Sequence, residues 1–376
     1  MEHWLINNLL SFGLAFMLTG MLIPQILVIA FRRKLFDGHD SRKTHLGEVP
    51  RLGGLAFVPA IIFSVLATIG LSLILDNCEM IASLPAMLVP LLFLICALML
   101  LYLVGIADDL IGVRYSAKFL FQILAGVFMI ASGVWISDLY GLAGLHELPA
   151  WFGWPVTVLA VVYVVNSINL IDGIDGLASG LAALVLLFYG VVLFLGGAYI
   201  YSLVAFGAFG SLLPFIYFNV FGKASSGKKI FMGDTGSLTI GMVIVFLAVA
   251  LTRYPFAEGG LLKANPMIVA VAPLIIPLFD SARVFFHRVC RRRNPFMPDR
   301  SHIHHKLLDL GLSPSATLGV ILGSALFFLV SNVLLSMVLD ANVLIILDII
   351  IWIAGNMILT AGIRRRERRI GCRLYD

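Results

Sequence analysis

The sequence predicts an all-α, polytopic membrane protein, and three observations support this fold class. Of its 376 residues, 60% are hydrophobic and only 12% are charged, whereas charged residues make up about 25% of an average soluble domain. Eleven segments are apolar over enough residues to cross a bilayer as helices, which takes about 20 residues each. The alternating pattern of a membrane β-barrel is absent, and a lone helix satisfies its own backbone hydrogen bonds in lipid.

The eleven predicted spans follow one another closely along the chain. They lie at roughly 9–31, 52–75, 84–106, 117–136, 154–171, 176–196, 199–217, 236–252, 266–286, 316–338 and 341–361. The polar connections, at about 30 residues or fewer, are too short to bury a core of their own. We therefore expect a single integral-membrane domain over 1–376. Its motif-bearing core covers about 32–311, and the last two helices and a basic tail cover 312–376.

Lysine and arginine predict the orientation of these spans. With the N-terminus outside, 24 of the 26 Lys and Arg residues fall on the cytoplasmic side, as the positive-inside rule requires. The odd number of spans then gives a cytoplasmic C-terminus. The net charge of +5 is explained mostly by the basic residues that orient the spans, and in part by attraction for anionic lipids and substrates. We therefore expect no nucleic-acid partner. Two interpretations of the basic tail at 364–373 stay open: it binds anionic lipid, or it only completes this topology, which we favour.

Six of the aspartates on the predicted cytoplasmic side are candidates for chemistry. A charged carboxylate at a helix end in lipid is tolerated when it is paired, hydrated or bound to metal, and adjacent carboxylates repel unless a cation or proton intervenes. Such an oxygen-rich set suits Mg²⁺ or Mn²⁺, while helix capping is the structural alternative. The set comprises Asp108, Asp109, Asp172, Asp175, Asp234 and Asp280. Asp280 is also spaced to pair with Arg283, and Asp348 has no assigned role.

Two glycine-rich turns and a histidine cluster lie on the same side. The turns NLIDGIDG and FMGDTGSL each precede an apolar helix, where backbone N–H groups can cradle phosphate. Neither matches the GxxxxGK[ST] pattern of an NTPase. The cluster HIHH at 302–305 lacks the glutamate of an HExxH site. Its histidines are candidates for phosphate contacts or proton transfer, for a transition-metal site, or for a solvated loop.

Five motifs together resemble the polyprenyl-phosphate N-acetylhexosamine-1-phosphate transferase family. The form HIHH, rather than HHH followed by an acidic residue, is similar to the WecA and TagO branch more than to the MraY branch. The motifs, in order, are RKTH…PRLGG (42–54), VGIADD (104–109), NSINLIDGIDGLASG (166–180), FMGDTGSL (231–238) and PDRSHIHHKLLDLG (298–311).

The resemblance implies transfer of an N-acetylhexosamine 1-phosphate, expected to be GlcNAc 1-phosphate, from a UDP-sugar to undecaprenyl phosphate, with release of UMP. This reaction initiates cell-envelope polysaccharide synthesis. The resemblance further implies the bacterial cytoplasmic (inner) membrane, an active site at its cytoplasmic face, Mg²⁺ or Mn²⁺ as cofactor and contact with membrane lipids. It is compatible with a homodimer.

Three other activities remain as alternatives. The first is transfer of phospho-MurNAc-pentapeptide, as in the MraY branch. The second is a membrane transporter, which is disfavoured because the acids stop at one face and no internal repeat is evident. The third is a metal-dependent hydrolase of lipid diphosphates that uses water as the nucleophile.

The resemblance also carries roles over to individual residues. Those implied to be catalytic are Asp108, Asp109, Asp234 and His302. Asp234 and Asp109 are the implied metal ligands, and Phe231 is implied to stack on uracil. Those implied to bind substrate are Lys43, His45, Arg51, Asn169, Asp172, Asp175, Asn219, Phe231, Gly233, Arg288, His304 and His305. Direct attack of the lipid phosphate, with Asp108 removing any remaining proton, is favoured over a path through a phosphorylated aspartate, which stays open.

Overall fold

A computed structural model describes residues 2–35, 49–75, 78–253, 264–292 and 301–370. Within these ranges the chain is helical throughout, and its β-type pairing is limited to one isolated bridge between Asp138 and Glu147. The helices are α1 (Glu2–Arg33), α2 (Phe57–Ile74), α3 (Cys78–Ile111), α4 (Tyr115–Ala131), α5 (Ala150–Leu170), α6 (Leu177–Leu195), α7 (Tyr199–Ile216), α8 (Gly233–Thr252), α9 (Pro266–Val271), α10 (Ile275–Cys290), α11 (Ile303–Asp309), α12 (Pro314–Leu335) and α13 (Ala341–Ile370).

All eleven predicted spans are helical, which confirms the all-α membrane fold. Ten helical segments of the described chain are long and apolar enough to cross a membrane. The remaining predicted span, the fourth at 117–136, corresponds to α4, which is apolar but has only 17 residues. At 1.5 Å per residue it is about 26 Å long, slightly shorter than the hydrocarbon core of about 30 Å. The direction in which the spans cross the membrane remains a prediction.

Several helix ends and one break differ from the prediction. Helices α1 and α3 begin earlier than predicted, at Glu2 and Cys78, and α4 ends at Ala131 rather than at 136. Helix α3 ends at Ile111 and α13 ends at Ile370, so both continue beyond their apolar stretches and carry charged residues in their last turns. The span predicted at 266–286 is divided into α9 and α10 by the short 3-10 turn Ala272–Leu274. Pro273 lies in this turn, where it has no N–H to continue a helical ladder.

Helix α8 is the centre of the bundle and determines where the functional residues meet. Its membrane-spanning window is fully buried, among α3, α5, α6 and α7. Gly105 of α3 allows the close approach to α8, because a Cβ at this position would lie 2.4 Å from the Cα of Thr235. Small residues commonly permit such contacts between membrane helices. As a result, the last turn of α3 meets the first turn of α8.

Asp348 lies inside α13, where it is 5% exposed. Its Oδ1 accepts a hydrogen bond from Asn332 Nδ2 of α12 at 3.0 Å. This contact supplies the polar partner that an intramembrane carboxyl group requires, and it joins the last two long helices.

Candidate active site

Asp109, at the end of α3, caps the N-terminus of α8. Its Oδ1 accepts a hydrogen bond from the backbone N–H of Asp234 at 2.7 Å, and its Oδ2 accepts from the N–H and the hydroxyl of Thr235 at 2.9 and 2.5 Å. The first N–H groups of a helix have no partner within the helix, so this carboxylate supplies one from a neighbouring element. The capping role that the sequence left open is therefore present. Each carboxylate oxygen has two lone pairs, and the capping contacts do not use all of them.

Gly233 is the residue that makes this junction possible. Its φ is +72°, and a Cβ here would lie 2.2 Å from the carbonyl oxygen of Arg51 and 2.7 Å from Oδ2 of Asp109. A side chain would therefore be strained by its backbone conformation and would also displace the cap. The predicted nucleotide contact of Gly233 remains a prediction, but its structural requirement is evident.

The segment before α8 pairs with the first loop motif through the backbone. The N–H of Phe231 donates to the carbonyl of Pro50, and the N–H groups of Gly53 and Gly54 donate to the carbonyls of Phe231 and Met232, each at 2.9 Å. These bonds bring PRLGG and FMGD together although about 180 residues separate them in the sequence. The ring of Phe231 is half-buried, which leaves one part of it accessible at the site.

Lys118 of α4 lies between two of the predicted catalytic carboxylates. Its ammonium is 2.7 Å from Oδ2 of Asp108 and also forms an ion pair with Asp234. The other oxygen of Asp108 accepts a hydrogen bond from the N–H of Val113 at 2.7 Å. On the sequence alone, Lys118 counts only as one of the positively charged residues on the predicted cytoplasmic side. The position of this lysine inside a short apolar helix could have predicted an ion pair, because a charge in such a helix requires a partner.

Asp108, Asp109 and Asp234 form the acidic trio, which has the arrangement of a metal site. Each offers one oxygen, and these oxygens lie within 4.8 Å of one another. Carboxylate oxygens are the ligands that Mg²⁺ and Mn²⁺ prefer. In the part of the chain that the structure describes, the trio is the one group of three or more such ligands with this arrangement.

The end of α5 and the turn that follows it form another wall of the site. Asn169 Nδ2 donates to the hydroxyl of Ser237 in the first turns of α8, at 2.8 Å. Asp172 is exposed to solvent, although protein atoms surround it on several sides. This partial desolvation, together with the negative charge of Asp234, raises the pKa of Asp172 to about 7. Its carboxyl group therefore lies in the negative field of the acidic trio.

Asp175 and Asn219 bind neighbouring parts of the protein. Asp175 Oδ2 forms an ion pair with Lys229 at 2.5 Å. The buried amide of Asn219 accepts from the N–H of Gly176 at 2.6 Å and donates to the carbonyl of Ile230 at 2.9 Å. Asn219 thus joins the turn after α5 to the segment before α8. This geometry favours a positioning role for Asn219 over the direct substrate contact that the resemblance implied.

The first histidine of the cluster is held by a buried carboxylate. Asp280 has no exposed surface, and its two oxygens contact Arg283 Nη2 and His302 Nδ1, each at 2.8 Å. The predicted pairing of Asp280 with Arg283 is confirmed, whereas the contact with His302 was missed because 22 residues separate the two. An ionised carboxylate only accepts hydrogen bonds, so Nδ1 carries the proton and Nε2 points elsewhere.

The other histidines connect α11 to the turn after α5. His304 is 1% exposed and lies against Gly173, where a Cβ would meet its Nε2 at 2.0 Å. Its ring centroid is 5.8 Å from that of His302 and 4.2 Å from that of His305. Burial lowers the pKa of His304 to about 3, with repulsion from His305 adding to the effect. His304 is therefore neutral at physiological pH.

The remaining predicted residues are distributed as follows. Arg51 is exposed and its positive charge acts on Asp172, whereas Arg288, in the last turn of α10, is only 5% exposed. Lys43 and His45 lie outside the described residues.

Comparisons with known proteins identify relatives of this chain. A model of glycosyl transferase family 4 matches residues 90–252, a range that contains the acidic trio. The chain is 30% identical over 340 residues to a probable undecaprenyl-phosphate N-acetylglucosaminyl 1-phosphate transferase of Bacillus subtilis (strain 168), covering 89% of this chain and 87% of the relative.

Two further relatives carry a related name, undecaprenyl-phosphate alpha-N-acetylglucosaminyl 1-phosphate transferase. The one from Yersinia pestis is 29% identical over 289 residues, which is 76% of this chain and 72% of that protein. The one from Escherichia coli (strain K12) is 30% identical over 300 residues, which is 79% of this chain and 76% of that protein.

Proposed function

The chain belongs to the polyprenyl-phosphate N-acetylhexosamine-1-phosphate transferase family, and from this premise we propose that it transfers GlcNAc 1-phosphate from UDP-GlcNAc to undecaprenyl phosphate. The products are UMP and a lipid-linked diphosphate sugar. The observation that carries the proposal is the meeting of the acidic trio with Lys118 at the start of α8. We assign the reaction to the cytoplasmic face of the bacterial inner membrane, where it would initiate cell-envelope polysaccharide synthesis.

The acidic trio fits Mg²⁺ or Mn²⁺ by the chemistry and spacing of its oxygens. Asp234 and Asp109 would hold the ion, with Asp108 beside them. When bound, such a cation neutralises phosphate charge and acts as a Lewis acid. The protein's own contribution is to fix the carboxylates, because Asp109 is anchored by the backbone of α8.

Positive groups of the protein offset the charge of two anionic reactants. Phosphoryl transfer depends mainly on positioning and on neutralisation of charge. Lys118 supplies one positive charge between Asp108 and Asp234, and Arg288 supplies another near the end of α10, where its planar fork suits a diphosphate. We propose that these side chains orient the lipid phosphate and the nucleotide diphosphate for in-line attack.

His302 is arranged to donate a hydrogen bond or a proton to the leaving phosphate. Asp280 binds its Nδ1, which fixes the ring and stabilises a positive charge on it when Nε2 is protonated. His304 is neutral and buried, so we assign it to packing against the turn at Gly173 and to hydrogen bonding rather than to charge neutralisation.

Asp108 is the candidate for removing any proton left on the acceptor phosphate. A phosphate monoester has a second pKa near 6, so most acceptor molecules are already ionised at neutral pH and this step is needed only for the remainder. The rival path forms a phosphorylated aspartate first. Exchange of labelled UMP into UDP-GlcNAc without any lipid acceptor would support that rival path and exclude direct attack.

A release assay tests the proposed function. Purified protein with UDP-GlcNAc, Mg²⁺ and undecaprenyl phosphate is expected to release UMP only when all three are present. Absence of UMP release would exclude the transferase, and release without the lipid would indicate a hydrolase. Parallel reactions with UDP-GalNAc and with UDP-MurNAc-pentapeptide test the sugar specificity and the MraY-like alternative.

A further inference from the structure

A groove of about 1060 Å³ lies between α10 and α13, and none of the acidic trio lines it. Its floor is apolar, with the rings of Phe279 and Trp352 in edge-on contact at 6.1 Å between centroids. Along the α13 wall, Ile353 is 52% exposed and Met357 is 68% exposed. This part of the groove therefore presents a mostly apolar surface, which suits the surrounding lipid.

The other end of the groove is strongly basic. Among the described residues that line it, six are arginine or lysine, and Glu367 is the one that is acidic. Arg291 at the end of α10 faces the arginines of α13, and both Arg364 and Arg368 are exposed. Because Arg364 and Arg368 are spaced i and i+4, they are neighbours on one helix face and repel each other. An anion between these side chains would relieve that repulsion.

A buried lysine connects the groove to the histidine helix α11. Lys306 lines the groove but is 4% exposed, and its Nζ donates to Asn356 Oδ1 at 3.2 Å and to Thr360 Oγ1 at 3.3 Å, both on α13. Burial lowers the pKa of Lys306 to about 8, and repulsion from Arg283 adds to this effect. Lys306 therefore favours a negatively charged ligand in the groove, as do the arginines at its basic end.

The lengths of the apolar and basic parts match one leaflet of a bilayer. From Ile349 to Ala361 the α13 wall rises about 18 Å at 1.5 Å per residue, and half of a hydrocarbon core is about 15 Å. Arg364 and Arg368 follow within the next two turns, at the depth of the headgroups. A polyprenyl chain is far longer than one leaflet, whereas the acyl chains of a phospholipid match it.

We propose that the groove between α10 and α13 is a binding site for an anionic phospholipid, whose phosphate lies among Arg291, Arg364 and Arg368 and whose acyl chains lie along α13. The tail arginines then have a role beyond the topology that the sequence favoured. Juxtamembrane clusters of basic residues attract anionic lipids in this manner. The proposal is independent of the transferase reaction, because it concerns binding alone.

Native mass spectrometry of the full chain in a neutral detergent tests this site, with phosphatidylglycerol and phosphatidylcholine as probes of equal chain length. We expect phosphatidylglycerol to bind at least about tenfold more tightly than phosphatidylcholine. Attraction of two arginines for an anionic headgroup accounts for an affinity ratio of this size. The double variant R364Q/R368Q is expected to lose this preference. The variant Ile353→Trp, which fills the apolar part without changing charge, is expected to weaken binding of both lipids.

The matched control is R33Q/R369Q, which removes two exposed arginines that do not line the groove. This variant should keep the wild-type preference, and equal loss in both double variants would overturn the site. Equal affinity of the wild type for the two lipids would also overturn it. Displacement of phosphatidylglycerol by undecaprenyl phosphate, one molecule for one, would assign the groove to the acceptor lipid instead. Thermal melting of each variant confirms that a loss of binding is not a loss of fold.

Discussion

The start of α8 and the histidine helix α11 lie at the same end of the bundle, but different contacts hold them in place. The acidic trio rests on backbone, since Asp109 binds the N–H groups of Asp234 and Thr235 in the most buried helix of the protein. The ring of His302 is bound by the buried carboxylate of Asp280, which also accepts hydrogen bonds from the backbone N–H of Ile303 at 3.1 and 3.2 Å. In both regions a carboxylate also binds the backbone at the start of a neighbouring helix. The difference is that Asp109 belongs to the trio itself, whereas the ring of His302 is oriented by the side chain of another residue, Asp280.

The largest effect is expected for Asp234→Asn. This change removes a carboxylate charge from the trio and from the ion pair with Lys118, but it leaves the N–H that binds Asp109. We expect kcat to fall by about 100- to 1000-fold, the range for loss of one electrostatic group at a reacting centre, with little change in thermal melting. Additional Mg²⁺ should not restore the rate fully, and a near-normal kcat would remove Asp234 from the proposed metal site.

A smaller loss is expected for Asp280→Asn, which tests the orientation of His302 by Asp280. Loss of the carboxylate that orients a metal-bound histidine typically costs about 10- to 100-fold, and we take the same range for His302, which Asp280 orients in the same way. We expect kcat to fall by this factor and its pH profile to shift, because the amide stabilises a protonated imidazole less well. A purely structural role would change thermal melting without moving the pH profile.

Asp348→Asn is the matched control for Asp280→Asn. Asp348 is also a buried acid of a membrane helix with an amide partner, but it contacts none of the proposed site residues. Its replacement should leave kcat and the pH profile unchanged. A similar shift in both variants would mean that loss of any intramembrane acid alters the profile, and the role of Asp280 would then be unsupported.

The backbone anchoring of the trio is tested by Asp109→Ala. The variant leaves the N–H groups of Asp234 and Thr235 without their cap, and loss of a helix cap costs about 0.5–2 kcal/mol of the free energy of unfolding. We expect this destabilisation in Asp109→Ala but not in Asp234→Asn. If the two variants unfold at the same denaturant concentration, the capping contacts do not stabilise α8 and the comparison between the two regions fails.

Much of the fold could be predicted because few backbone conformations satisfy their hydrogen bonds within lipid. Long apolar runs must form helices, so every predicted span is helical. Helix ends were less predictable, since α3 and α13 continue past their apolar stretches, where they make tertiary contacts. One such contact is the hydrogen bond from Arg366 to the carbonyl of Asp309 at 2.8 Å, which joins α13 to α11 across 57 residues of sequence.

The site could be predicted as a set of residue types on one face, but not as a set of pairs. Topology grouped the aspartates correctly, whereas Lys118 was missed because the positive-inside rule already explained its charge. The contact between Asp280 and His302 was missed because it depends on how α10 and α11 pack. Pairings of this kind are determined by helix packing, which the sequence pattern of single helices does not specify.

The smallest effect is expected for Asp172→Asn, on the pH dependence of stability. The carboxyl group ionises near pH 4 in the unfolded chain, but partial desolvation and the charge of Asp234 raise its pKa to about 7 in the folded protein. Folding therefore favours the protonated form, and the cost of ionisation grows from about pH 4 to pH 7 and stays constant above it. Without this carboxylate, thermal melting in EDTA should rise relative to wild type at pH 8 and change little at pH 4. Melting curves that keep the same separation at both pH values would show that Asp172 does not lie in the field of the acidic trio.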